Sequence, residues 1–196
     1  MIYLASRSPR RQELLARIGV RFELLAPGED ESEAAEALET PLPGEPPTVY
    51  VLRVTIAKAR AGEARRRSRS LPPAPVLAAD TTVAIGGRII GKPADAAEAA
   101  AMLRALSGRS HRVLTAVALA RGERIEHRLS VSRVRFARLT AGDIATYVAS
   151  GDPFDKAGGY GIQGYAGRFV RRVEGSESGI MGLPLYETHC LLRGRA

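Results

Sequence analysis

The chain has one cysteine, Cys190, in 196 residues, so no intramolecular disulfide and no cysteine-based metal cluster can form within it. That usage fits a reducing compartment, and the expected location is the cytoplasm. Tryptophan is absent and aromatics make up 5% of the residues, which argues against a broad base-stacking surface and so against nucleic acid as a partner. No apolar run approaches the ~18 residues that a membrane-spanning helix needs, so no membrane partner is expected. The first residues, from Met1 to Ser6, lack the charged-then-apolar layout of a signal peptide.

Lysine is scarce too. Of 29 basic residues only three are Lys (Lys58, Lys92 and Lys156), leaving 26 Arg. Lysine offers a compact ammonium with rotatable donors, and arginine a wide planar fork. A chain so biased keeps lysine where arginine will not serve, unless the three survive by chance. Each sits among small or constrained residues, in Ala57-Lys58-Ala59, Gly91-Lys92-Pro93 and Asp155-Lys156-Ala157. All three are therefore site candidates.

What the chain does have is ordinary globular composition, 45% hydrophobic and 26% charged, with a formal charge of +8. That charge points to an anionic partner, either nucleic acid or a phosphorylated small molecule. Arg65-Arg66-Arg67-Ser68-Arg69 is the one dense basic run. It closes a predicted helix and reads as a solvated helix end rather than a nucleic-acid patch.

Periodicity and punctuation predict strands over 1–5, 21–26, 75–85, 88–90, 111–120, 124–139 and 168–174. Helices are expected over 8–18, 47–67, 94–106, 140–150 and 183–192, with Ser8-Pro9 and Thr140 as start signals. Residues 27–45 form an acidic loop, 68–75 a Pro/Ser linker and 151–167 a glycine-rich stretch. Strands and helices intermix without internal repeats. The expected class is α/β, a mixed twisted sheet flanked by helices, in one domain over residues 1–196.

Two motif matches fail. Gly86-Gly87-Arg88-Ile89-Ile90-Gly91-Lys92 has phosphate-loop spacing, but Pro93 replaces the magnesium-binding Ser or Thr and a hairpin turn opens the match. Gly159-Tyr160-Gly161-Ile162-Gln163-Gly164 has dinucleotide-fingerprint spacing but follows a polar loop, with fewer than 35 residues after it.

Four segments carry chemistry. In Ser6-Arg7-Ser8-Pro9-Arg10-Arg11 a strand turns into a helix. Two arginines there repel the helix N-terminus unless an anion binds. In Ala78-Ala79-Asp80-Thr81-Thr82 an Asp is read at the tail of an apolar strand, where it is costly unless paired or bound to metal. Glu29-Asp30-Glu31 alone reads as a solvated loop, but beside Asp80 one of its carboxylates could complete a magnesium site. The glycines after Lys156 allow close backbone approach to a ligand, and the Gln163 amide suits a nucleobase edge.

These segments, with Leu106-Ser107-Gly108 and Gly182-Leu183-Pro184-Leu185, occur in an order that resembles the Maf family of nucleoside triphosphate pyrophosphatases. The resemblance runs from Leu4 to Leu185. It implies two lobes around a central cleft and metal-dependent (Mg2+ or Mn2+) cleavage of a nucleoside triphosphate to monophosphate and pyrophosphate. It implies Asp80 as proton acceptor and metal ligand, Glu31 as second metal ligand, and Arg11, Lys58 and Lys92 as phosphate-handling residues. Arg10, Thr81 and Gln163 match positions that set base choice, in the combination of the dTTP/UTP branch rather than the 7-methyl-GTP branch. Ser6 and Lys156 complete the expected substrate contacts. A homodimer is compatible with this reading. The rival class is a nucleic-acid-binding or cell-division regulator without turnover. Arg7, Gly159 and Ile180-Met181 depart from the family's pattern, and 68–75 has the look of an insertion.

Overall fold

The computed structural model describes residues 1–28, 31 and 37–194. Glu29 and Asp30 of the acidic loop lie outside the described residues. In chain order the elements are β1 (Ile2–Leu4), α1 (Pro9–Arg17), β2 (Phe22–Leu24), α2 (Pro47–Ser68), β3 (Val76–Ile85), β4 (Arg88–Ile90) and α3 (Ala96–Leu106). Then follow β5 (Ser110–Arg121), β6 (Arg124–Phe136), α4 (Ala141–Ala149), two 3₁₀ turns (Ala157–Gly159 and Tyr165–Phe169), β7 (Val170–Glu174), α5 (Glu177–Ile180) and α6 (Leu185–Arg193).

The strands form one seven-stranded mixed sheet in the order β2-β1-β3-β5-β6-β7, with β4 paired to β3. β1 runs parallel to β2 and β3, and all other pairings are antiparallel. The expected α/β class is borne out. Gly86 and Gly87, both at positive φ (56° and 83°), close the β3–β4 hairpin, as a two-residue turn of the primed type demands. The phosphate-loop match was rightly set aside.

Side chains alternate across β3, and this alternation divides the core. Val76 and Ala78 face α2 with Tyr3, Ala59 and Ala118, and Ala84 faces it with Tyr50, Val54 and Leu114. Leu77 and Ala79 face the opposite side with Leu14, Leu15, Met181 and Leu191. Val83, on that same side, joins a separate cluster with Leu103, Phe136, Tyr147 and Phe169. The middle of β3 thus passes between two hydrophobic clusters, and Thr81 is the one interior residue of the strand that is not buried.

α2 presses hard on the sheet. A Cβ on Gly62 would come within 2.8 Å of Val76 Cγ1 and 2.9 Å of Ala5 Cβ. Glycine there permits an approach that alanine would block, at a cost in helix propensity of about 1 kcal/mol. The basic end of α2 is solvated, as expected, from Arg67 to Arg69, but not at Arg65. Arg65 is buried, donating to Leu25 O (3.1 Å) and Glu31 (2.5 Å). Arg66 and Arg67 both pair with Glu63. Helical spacing brings Glu63 beneath Arg66 and Arg67, whereas Arg65 takes its counter-charge from Glu31.

Candidate active site

A cleft of about 1320 Å³ opens where β3 passes between the clusters, and every site residue named from the sequence lines it. Asp80 stands mid-strand and not at the strand's tail as expected, because pairing with β5 and β4 continues beyond it; Asp80 and Thr81, being consecutive, point to opposite sides of the sheet. Asp80, with its side chain 11% exposed, faces α2, where Lys58 Nζ donates to its Oδ1 at 2.6 Å. The same ammonium donates to Glu39 Oε1 at 2.7 Å, and Lys92 Nζ donates to Glu39 Oε2 at 3.2 Å. Burial raises the Glu39 carboxyl's pKa, but Lys58 and Lys92 together bring it below the ordinary range. The sequence places two of the scarce lysines in one electrostatic cluster. The crowding expected around Lys92 is not found, since its side chain is 55% exposed.

The N-terminal end of α1 supplies the facing wall. Ser8 begins the helix without a side-chain cap and Pro9 sits in its first turn. Ser6 Oγ accepts instead, from Ser8 N–H and from Arg11 Nη1, both at 3.2 Å. Arg11 also donates to Gly182 O (2.8 Å) and Thr81 Oγ1 (3.4 Å). Its guanidinium is thereby fixed against the Gly182-Leu183-Pro184 segment. Burial lowers its pKa, opposed by the charges of Asp80 and Glu39. Thr81 Oγ1 also meets the Thr115 hydroxyl at 3.0 Å, across a directly paired register position. Arg10, partly exposed at the cleft, lies 3.6 Å from Asp155.

The glycine-rich stretch forms the third wall. Gly158, at φ 74°, packs over Val83 and donates to Gly91 O at 2.8 Å, so the Lys156 and Lys92 segments are joined main chain to main chain. Tyr160 anchors the stretch: its hydroxyl lies 2.7 Å from buried His111 Nε2 and its ring packs edge-on to Phe136. Gln163 is exposed at the cleft, and its amide makes no hydrogen bond among the described residues. Lys156 lies close by, donating to Asp152 O (2.5 Å) and to Asp155, with the Asp152 carboxylate 3.0 Å away as an ion pair. Its ammonium ties the loop together within the lining of the cleft.

Glu31 does not pair with Asp80. Its Oε2 accepts from Gly28 N–H (3.1 Å) and Arg65 (2.5 Å), and those bonds hold its pKa down. No group of three or more acidic, His or Cys side chains able to hold a metal occurs among the described residues. The donor set still suits a hard divalent cation, because Asp80 Oδ2 and Glu31 Oε1 both belong to cleft-lining residues and carry no protein hydrogen bond.

Glu39 is the residue that sequence reasoning missed. It falls in the stretch 27–45 read as an acidic loop, and nothing local in the sequence distinguishes it from Glu36 or Glu33. Its contact with lysines 19 and 53 positions away exists only in the fold. Tyr50 escaped notice likewise. Its hydroxyl, whose pKa burial raises, donates to Glu39 O at 2.7 Å.

The Maf-like protein family model matches residues 1–195. A protein of Cupriavidus pinatubonensis named dTTP/UTP pyrophosphatase is 59% identical over 98% of this chain and 95% of its own length. Proteins with the same name from Burkholderia pseudomallei (61%) and Ralstonia nicotianae (62%) are similar over 98% and 97% of this chain, and 92% of their own lengths.

Proposed function

The chain belongs to the Maf-like family, and from that membership we propose that it hydrolyses dTTP and UTP to the nucleoside monophosphate and pyrophosphate. Relatives about 60% identical carry that activity in their names. The observation that supports it best is the Asp80–Lys58 pair at 2.6 Å inside a cleft also lined by Arg11, Lys92 and the start of α1.

A triphosphate carries about four negative charges, and phosphoryl transfer is mostly a matter of positioning and neutralising them. Lys58, Lys92 and Arg11 bind the phosphates, Ser6 adds a hydroxyl donor, and Arg10 reaches the outer edge. Asp80 accepts the proton of the attacking water at Oδ2 while Lys58 holds Oδ1 and fixes the carboxylate's orientation. Water adds to phosphorus, the bond between the α- and β-phosphates breaks, and pyrophosphate carries away the electron pair. A divalent cation, Mg2+ or Mn2+, would be held by Asp80 and Glu31 and would supply charge neutralisation and Lewis acidity. Thr81 and Gln163 read the base. Residues 1–196 act as one domain, and the cytoplasm is the compartment that the single cysteine fits.

The test is pyrophosphate release with Mg2+ or Mn2+ from dTTP, UTP, CTP, GTP, ITP and 7-methyl-GTP. Turnover of dTTP and UTP above the rest is expected. Preference for 7-methyl-GTP would move the chain to that branch, and nucleotide binding without release would make it a non-catalytic binder.

A further inference from the structure

Resting on that reading of the cleft, we propose that Glu39 is an internal stand-in for substrate phosphate. Its carboxylate bridges the two phosphate-binding ammoniums before substrate arrives and is exchanged for phosphate oxygens on binding. It competes again for the same lysines when pyrophosphate leaves.

Three observations carry this. The first is geometry: the two Glu39 oxygens serve different lysines, Oε1 to Lys58 at 2.7 Å and Oε2 to Lys92 at 3.2 Å. One planar anion bridges two ammoniums that come from α2 and from the segment after β4, which is what a phosphate group would do there.

The second is how Glu39 is held. Its main chain is pinned to α2: Tyr50 Oη donates to Glu39 O at 2.7 Å, and Arg53 donates to Leu38 O (3.2 Å) and Thr40 O (3.0 Å). Arg53 is itself gripped by Glu45 at 2.7 Å and 2.8 Å. The Glu39 carboxylate, in contrast, has only the two lysines as partners among the described residues, and its side chain is 33% exposed. A side-chain rotation frees it while the backbone stays in place.

The third is charge. Lys58 already has Asp80 at 2.6 Å, so Glu39 gives that ammonium a second counter-anion. A phosphate that takes both lysines must displace Glu39 and then experience its negative charge close by. That repulsion acts on substrate and product alike, so it weakens uniform binding rather than the chemical step.

The experiment compares wild type with Glu39→Gln and Glu39→Ala, each checked for an unchanged melting profile. Pyrophosphate affinity is measured by calorimetry with and without Mg2+, KM for dTTP by initial rates, and Mn2+ affinity of the nucleotide-free protein by electron paramagnetic resonance. In both variants pyrophosphate should bind at least about threefold tighter and KM should fall with it, with Mn2+ affinity unchanged. Unchanged or weaker pyrophosphate binding in both variants overturns the proposal. Loss of Mn2+ affinity overturns it too, and makes Glu39 a metal ligand. A wild type that turns over dTTP while the variants fail in this way leaves the pyrophosphatase reading intact. A wild type with neither turnover nor pyrophosphate binding removes both.

Discussion

Asp80 and Lys58 form a 2.6 Å pair, but Lys58 keeps a second carboxylate, Glu39, when Asp80 is neutralised. Asp80→Asn therefore leaves no bare buried ammonium, and the usual penalty for breaking an ion pair does not arise. The melting temperature should hold or rise, while turnover falls by roughly 10²–10⁴, the contribution of a positioned proton acceptor. Residual activity within tenfold of wild type would refute the role. Lys58→Arg is a different kind of change. A planar fork cannot occupy the point between two carboxylates that a tetrahedral ammonium fills. It should cost at least ~1.4 kcal/mol, tenfold in kcat/KM. Lys92, more than half exposed, should tolerate Arg with a smaller loss; equal losses at both positions would show that the ammonium itself, rather than its confinement, is what matters.

His111 gives a prediction with a definite sign. Burial lowers its pKa from 6.5 to about 4, and its Nδ1 has no hydrogen-bond partner among the described residues. The folded state keeps the ring neutral while the unfolded chain takes up a proton below pH 6.5. Stability is fully present above about pH 6.5 and declines as pH falls toward 4, by roughly 3 kcal/mol in all. His111→Leu should flatten that part of the pH profile in urea unfolding, although it lowers stability at pH 8 by stranding the Tyr160 hydroxyl. An unchanged acid slope would show that another group carries it.

Among the elements, periodic ones were legible and compact, contact-made ones were not. β3, β4 and α2 fall within a residue or two of expectation because apolar period and Pro/Gly boundaries are local signals. Thr140 caps α4 in a full capping box with Asp143. α5 is four residues long, too short for a helical period, and was not foreseen. β6 stops at Phe136, three residues before the expected end, because β7 pairs with it only that far through a bulge at Arg135/Phe136. The charged segments of the site were readable because a carboxylate in an apolar strand or an arginine at a helix start is locally anomalous. Glu39 and the Lys156 clamp are anomalous only after folding. Gly62 offers a test at this scale. Gly62→Ala would gain about 1 kcal/mol in helix propensity but drive Cβ into Val76 and Ala5, where overpacking costs about 1–3 kcal/mol. Net destabilisation in urea is expected, with a lower kcat/KM because Lys58 lies one turn away on the same helix. A more stable, fully active variant would show that α2 can lift off without cost.

The whole molecule brings Thr81 and Gln163, the two residues proposed to read the base, to one cleft from two separate clusters on the same side of β3. Thr81 is tied to Arg11 and Thr115 beside the cluster around Leu14, whereas Gln163 belongs to the glycine-rich stretch anchored through Tyr160 to the cluster around Phe136. On the proposed reading, a base held between them would touch both. Uracil and thymine present acceptor, N3–H donor and acceptor along one edge. The free Gln163 amide can meet N3–H and one carbonyl together, and the Thr81 hydroxyl can meet a second polar atom. Cytosine replaces that donor by a bare acceptor and one acceptor by an amino group. Groups covered by the bound base would then face like partners, at ~1–3 kcal/mol each, so tenfold to a hundredfold discrimination against CTP is expected. The thymine methyl should be tolerated. Gln163→Glu removes the amide donor, so it should weaken both dTTP and UTP hydrolysis and favour bases with cationic or donor-rich edges, as in 7-methyl-GTP. Because the residue is exposed and carries no internal bond, the fold should be unaffected, which makes specificity constants a clean readout. If Gln163→Glu hydrolyses dTTP, UTP and CTP at wild-type ratios, the base is read elsewhere, and the two cores are joined across the substrate by its phosphates alone.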